Sequence, residues 1–190
     1  MSTIHEEQSL KKPIGPEELF PLIQYLKMSK KYKLVILGLG NILFKDEGFG
    51  VHFVRDFQKK YLLPQDVSII DGGTLGYMLM DLICETENLL VIDTVKTNEE
   101  PGTVYKFKPD AIPTTLQYNV SAHEVEFLDL LLKAEMIGEA PSTTIIAVVP
   151  EDIINNGFEM TARVKKSLPK VEELIKEEIM GLGIPIKDAS

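Results

Sequence analysis

The chain has 190 residues, a formal net charge of −9 and a single cysteine. This length allows one domain whose core is stable without disulfides or a structural metal, and one cysteine excludes both a disulfide framework and a cysteine-based zinc site. The negative charge argues against non-specific nucleic-acid binding, which needs clustered Lys and Arg, and no apolar run approaches the ~20 residues that span a bilayer. We therefore expect neither a nucleic-acid partner nor membrane insertion.

The first 32 residues are predicted to be an appendage to the domain. Residues 1–12 are polar and aperiodic, and residues 16–27 have the spacing of a short amphipathic helix. Prolines and glutamates interrupt its apolar residues, so it lacks the clean apolar stretch of a secretory signal. The domain itself is expected over residues 33–180, followed by a loose C-terminal tail over residues 181–190.

From residue 33 onward, predicted strands and helices alternate. Continuous apolar runs predict buried strands at residues 33–40 and 89–92. Residues 67–70, which end before an Asp-Gly-Gly turn, predict another strand between them. Helical spacing of apolar residues predicts helices between them, over residues 46–61 and 75–84. This alternation indicates βαβ units and a parallel sheet.

The pattern changes in the second half of the domain. Residues 103–108 alternate between apolar and polar, which predicts an antiparallel edge strand with one solvated face. A helix over residues 121–138 and a buried strand over residues 143–149 follow. The last predicted helix covers residues 161–180, and Pro169 should kink or restart it.

Four ionisable residues are expected near the carboxyl ends of the strands, where ligands of open α/β sheets bind at the reversal of strand order. If the first strand lies between the second and the third, Glu47 and Asp93 flank this crevice. Asp71 then lies at the neighbouring strand end, and His123 begins a helix that returns to the same edge. Such a group indicates a metal site or an acid–base site.

Most of these residues also have a plainer interpretation when taken singly. Glu47 would favour the first turn of its helix electrostatically, and Asp71 precedes two glycines as a turn residue does. His123 on its own would be a surface histidine, and His52 is expected to face solvent. The functional interpretation therefore depends on the convergence of the four residues.

A strand that runs into Gly38 and Gly40 could also open a dinucleotide-binding loop. That fingerprint requires a third glycine three positions after the second, where this chain has Leu43. A nucleotide-binding enzyme is therefore the weaker hypothesis.

Four blocks of sequence resemble one known family. The segment 38–51, with Asn41 and the pair Asp46–Glu47, resembles the opening motif of the nickel–iron hydrogenase maturation endopeptidases. The blocks 71–74, 91–93 and 121–124 are similar to later motifs of that family, in the same order. The resemblance extends from about residue 33 to about residue 177.

The resemblance implies a three-layer α/β sandwich, in which helices flank a twisted, mostly parallel five-stranded sheet with one antiparallel edge strand. It implies a cytoplasmic protease, grouped with the aspartic-type endopeptidases, that removes the C-terminal peptide of the hydrogenase large-subunit precursor after nickel insertion. It further implies that Glu47, Asp93 and His123 bind the metal and that Asp71 is a candidate for the hydrolytic step.

Our hypothesis is that nickel arrives with the substrate, held by substrate thiolates, and that the three ligands complete its coordination. This contact would place the scissile bond near Asp71, the first candidate for the base that activates water. A metal-bound hydroxide is the competing nucleophile. A non-cleaving, nickel-sensing assembly chaperone would use the same three ligands without needing Asp71.

Overall fold

The computed structural model describes residue 15 and residues 30–111 and 122–189. In chain order, its strands are β1 (Tyr32–Leu39), β2 (Tyr61–Leu62), β3 (Val67–Gly73), β4 (Thr86–Thr94), β5 (Val104–Phe107), β6 (Ser142–Val148) and β7 (Lys187–Asp188). Its α-helices are α1 (Phe49–Lys60), α2 (Met80–Cys84), α3 (Ala122–Met136), α4 (Ala162–Lys165) and α5 (Leu168–Gly181).

Five of the strands form one sheet in the order β3-β1-β4-β6-β5. Strands β3, β1, β4 and β6 are parallel, and β5 pairs antiparallel with β6 at the edge. The predicted parallel sheet, its antiparallel edge strand and the reversal of strand order at β1 are thus confirmed.

Side chains of β1 alternate between two cores. Leu34 and Ile36 pack with α1 and α5, whereas Val35 and Leu37 pack with α2 and α3 on the other face of the sheet. This period of two follows from strand geometry, and it explains why the strand reads as one continuous apolar run. The predicted three-layer sandwich is confirmed.

Three of the predicted helices are not continuous α-helices. The two helices of the first half each begin as a 3₁₀ turn, at Lys45–Gly48 and Gly76–Leu79. The last predicted helix is divided into α4 and α5. Pro169 lies in the first turn of α5, where its missing N–H has no partner to lose, so it restarts the helix as predicted.

The C-terminal segment packs on the domain. Strand β7 pairs antiparallel with β2, and the N–H of Ala189 donates to the carbonyl of Lys60 at 2.7 Å. Ile184 is buried, and Ile186 packs against the same core. The prediction of a loose tail is therefore wrong up to residue 189, because two apolar side chains draw this segment onto the α1 layer.

The predicted helix of the N-terminal appendage lies outside the described residues. Lys30, where the continuous description begins, donates from Nζ to the carbonyls of Cys84 at 2.6 Å and Glu139 at 2.8 Å. None of the helices in the described parts of the chain is both long enough and apolar enough to cross a membrane.

Candidate active site

The carboxyl end of β1 approaches its neighbours so closely that only glycine fits. A Cβ atom on Gly50 would lie 2.1 Å from the carbonyl oxygen of Ile92, and one on Gly38 would lie 2.2 Å from the carbonyl oxygen of Gly50. Gly40 has a φ of +121°, and its Cβ would lie 1.8 Å from the carbonyl oxygen of Glu47. These glycines serve close backbone packing, so their presence here does not require a bound dinucleotide.

This close packing brings two predicted ligands to one edge of the sheet. Glu47 is half-buried in the 3₁₀ turn Lys45–Gly48, which contacts β4. Asp93 is the penultimate residue of β4 and only 7% exposed, and its Oδ1 accepts a hydrogen bond from the N–H of Thr94 at 2.7 Å. The backbones of both residues therefore lie at the carboxyl edge, beside β1 and β4, where the strand order reverses.

The third predicted ligand, His123, lies in the first turn of α3. A Cβ atom on Gly76, just beyond β3, would lie 2.2 Å from Oε1 of Glu126, so α3 begins at the same carboxyl edge. The side chain of His123 lies outside the described residues, and the convergence of the three ligands stays a prediction. Within the described part of the chain, no three His, Cys, Asp or Glu side chains are grouped closely enough to hold a metal.

Asp71, the candidate base, lies on the other face of the sheet from Asp93. Ile69 in β3 packs on the α1 side and Val91 in β4 on the α3 side, and side chains two positions apart share a face. Gly38 is the register partner of both Asp71 and Ile92. Two strand spacings, about 10 Å, therefore separate the backbones of Asp71 and β4.

A salt bridge holds the Asp71 carboxylate. Nε of Arg55 donates to Oδ2 at 2.8 Å, and Nη2 of the same guanidinium lies 2.6 Å from that oxygen. Arg55 belongs to α1, which covers this face of the sheet. Both contacts are made to Oδ2, so the guanidinium orients the carboxylate through that oxygen.

The role of Asp46 could not be predicted from its local sequence. This carboxylate is fully buried, and its Oδ2 accepts hydrogen bonds from the N–H groups of Glu151 at 3.0 Å and Asp152 at 2.9 Å. Thr161 donates to it twice, from N–H to Oδ1 at 2.6 Å and from Oγ1 to Oδ2 at 3.0 Å. The one sequence signal was its place directly before Glu47 in the opening motif.

The prediction that His52 faces solvent is wrong. Its side chain is half-buried, and Nε2 has no hydrogen-bond partner among the described residues. Burial lowers the pKa of His52 below its ordinary value, and the positive charge of Arg55 acts in the same direction.

Comparison with known proteins identifies the family. Residues 51–178 match the sequence profile described as HycI, hydrogenase maturation protease. The chain belongs to the hydrogenase maturation protease family. It is 35% identical over 156 residues to the hydrogenase expression/formation protein HupD of Rhizobium leguminosarum bv. viciae, covering 81% of this chain and 77% of HupD. It is also 32% identical over 123 residues to the hydrogenase 2 maturation protease of Escherichia coli (strain K12), covering 64% and 75% of the two chains.

The solved structure of the hydrogenase maturating endopeptidase HybD from E. coli has the same fold. It matches with a TM-score of 0.76 and 28% identity, over 82% of this chain and 97% of HybD. The motif resemblance is thus confirmed, and this hydrogenase maturation protease is an enzyme of the hydrolase class. Membership in a protease family favours cleavage over the non-cleaving chaperone.

Proposed function

We propose that this protease removes the C-terminal peptide of a nickel–iron hydrogenase large-subunit precursor, in the cytoplasm and after nickel has been inserted. Family membership supports the link to hydrogenase maturation. The single observation that supports the site is the joint position of Asp93 and the Glu47 turn. They share the carboxyl edge where the strand order reverses, and α3, which carries His123, begins at that edge.

In this proposal Glu47, Asp93 and His123 contact the nickel that the precursor carries. Two carboxylates and one imidazole suit a divalent first-row metal and include no thiolate. They would leave coordination positions to the substrate's own thiolates, so the enzyme could release the metal with its product. Contact with the metal would then distinguish a nickel-loaded precursor from an empty one.

Asp71 is the proposed base that takes a proton from the attacking water. Because Arg55 contacts Oδ2, the oxygen in position to accept that proton is Oδ1. Asp71 and Asp93 leave opposite faces of the sheet about 10 Å apart, so the substrate chain would have to cross the carboxyl edge between them. An extended peptide covers this distance in about three residues.

Incubation with a nickel-loaded precursor, followed by intact-mass measurement, tests the proposal. The wild-type enzyme should release the C-terminal peptide from loaded precursor and leave nickel-free precursor uncut. Equal cleavage of both forms would refute nickel dependence, and binding without cleavage would favour the chaperone.

A histidine pair supplies the matched control for the ligand set. His123→Ala should abolish processing and leave the unfolding transition unchanged, since a strand-end site contributes little to the core. His5→Ala, which changes a histidine in the appendage, should cleave like wild type. An experimental structure should show the side chains of Glu47, Asp93 and His123 within about 5 Å of one another, as a shared metal requires. A His123 side chain turned away from the other two would remove the metal site.

A further inference from the structure

The turn that carries Glu47 contains a strained residue. Lys45 has a φ of +40°, in the left-handed region that residues other than glycine seldom adopt. Such a conformation persists only where the surrounding structure enforces it, and it is concentrated at functional sites. The contacts that hold Lys45 therefore influence the position of Glu47, which lies two residues later in the chain.

Those contacts come from residues 151–161, which we name the clamp loop. The N–H of Lys45 donates to the carbonyl of Gly157 at 2.8 Å, and that of Asp46 to the carbonyl of Asp152 at 3.1 Å. The Lys45 ammonium pairs with the Asp152 carboxylate. This pairing, together with hydrogen bonds from Asn155, holds the pKa of Asp152 well below its ordinary value.

The strongest link between turn and loop is the Asp46 carboxylate. A carboxylate removed from water has to regain its hydrogen bonds from the protein, and Asp46 receives four, all from the clamp loop. Bonds to an ionised acceptor are stronger than neutral ones. Glu47 follows directly, with its carbonyl packed against Gly40, so its backbone is held from both sides.

We propose that Asp46 is a positioning residue for proteolysis. By binding the clamp loop it fixes the backbone of residues 45–48 and thereby the place where Glu47 presents its carboxylate. This inference rests on the proposed contact between Glu47 and substrate-held nickel. The clamp loop contains none of the predicted ligands, yet it becomes part of the site through Asp46.

Asp46→Asn is the central variant because it keeps the side-chain volume and places an amide NH₂ group among hydrogen-bond donors. Measured well below the melting temperature, its kcat/KM for the nickel-loaded precursor should fall by about 10- to 100-fold, the usual effect of losing a group that orients a metal ligand. Thr161→Val removes one donor and should lower kcat/KM, whereas Thr161→Ser keeps the hydroxyl and should restore it.

Thr86→Val is the matched control for lost stability. Thr86 is fully buried at the start of β4, away from the carboxyl edge, and its Oγ1 donates to the carbonyl of Leu82 at 2.6 Å. The variant should melt at a lower temperature and keep kcat/KM within about twofold of wild type. An equal loss of kcat/KM in Thr86→Val and Asp46→Asn would overturn the proposal.

A double-mutant cycle tests whether Asp46 acts through Glu47. Asp46→Asn should weaken binding of the nickel-loaded precursor in the wild-type background. It should change binding by less than about twofold in a Glu47→Gln background, because residues that act through one contact are not additive. Equal weakening in both backgrounds would reduce Asp46 to a stabilising residue.

Amide hydrogen exchange of the free protein separates this proposal from the proposed function, because it needs no substrate. Asp46→Asn should accelerate exchange both in the clamp loop and at residues 45–48, and Thr86→Val should accelerate neither. Acceleration confined to the clamp loop would overturn the positioning role. An inactive wild-type enzyme would refute the proposed function and leave this measurement decisive for Asp46.

Discussion

Asp71→Asn separates a catalytic role of Asp71 from a structural one. The substitution keeps the size of the side chain and removes its charge and basicity. If Asp71 is the base, the variant should bind nickel-loaded precursor and cleave it about 10²- to 10⁴-fold more slowly. If Asp71 only shapes the turn that continues into Gly72 and Gly73, activity should stay within a few fold, because Asn serves turns equally well.

The structure sets the stability cost of this variant. The Arg55–Asp71 pair is partly exposed, with 48% and 33% of the two side chains accessible to solvent. Such pairs contribute about 0–1 kcal/mol, which for a chain of this size shifts the melting temperature by no more than about 4 °C. The predicted loss of activity corresponds to about 2.7–5.4 kcal/mol in the barrier, so unfolding cannot account for it.

Single-turnover cleavage followed by intact mass gives the rate, and co-purification with the precursor gives binding. Arg55→Gln is the matched control, because it breaks the same salt bridge and keeps the carboxylate. Its loss of rate should be clearly smaller than that of Asp71→Asn. Near-wild-type cleavage by Asp71→Asn would refute the assignment of the base. Equal losses of cleavage rate in the two variants would show that the broken salt bridge causes the loss.

Three further predictions concern stability and the appendage. Gly50→Ala should lower the free energy of unfolding by about 2 kcal/mol or more, because its Cβ would lie 2.1 Å from the backbone oxygen of Ile92. Gly181→Ala, with nothing within 4 Å, should change it by less than about 1 kcal/mol, and equal effects in urea titration would contradict this account. The folded state lowers the pKa of His52 below 6.5, so the unfolded chain binds a proton first as the pH falls through that value. As the pH falls further, the free energy of unfolding should therefore decrease by at most about 1.4 kcal/mol per pH unit until the folded-state pKa is passed. This part of the pH dependence should be absent in His52→Leu. The same slope in the variant and the wild type would show that His52 does not cause it. Deletion of residues 1–27 should leave cleavage and the main unfolding transition nearly unchanged, because the strand–helix alternation and Lys30 remain; loss of soluble protein would show that the appendage packs on the domain.

Much of the fold could be predicted because its signals are local. The runs at residues 33–40 and 89–92 are apolar throughout since both faces of β1 and β4 are covered, and the alternation at residues 103–108 reflects an edge strand. The chain order of strands and helices then leaves few topologies. Pairing of two-residue strands carries no periodic signal, so the packing of the C-terminal segment against β2 was missed.

Local sequence patterns were also sufficient to identify the candidate site residues. Glu47, Asp71 and Asp93 each follow or close a recognisable strand, and the spacing of the opening motif identified the family. The meeting of the Glu47 turn with β4 was predicted only on the condition that β1 lies between β3 and β4, because ligands of open α/β sheets bind where the strand order reverses.

The orientation of these candidates and the contacts that support them depend on residues far apart in the chain. Asp71 and Asp93 lie on opposite faces of the sheet, because the register aligns Asp71 with Ile92 and side chains alternate between the faces. The partners of Asp46 lie 105, 106 and 115 residues farther along the chain. Hydrogen bonds across such separations leave no local periodicity in the sequence, because the donors are mostly backbone N–H groups that every residue except proline possesses.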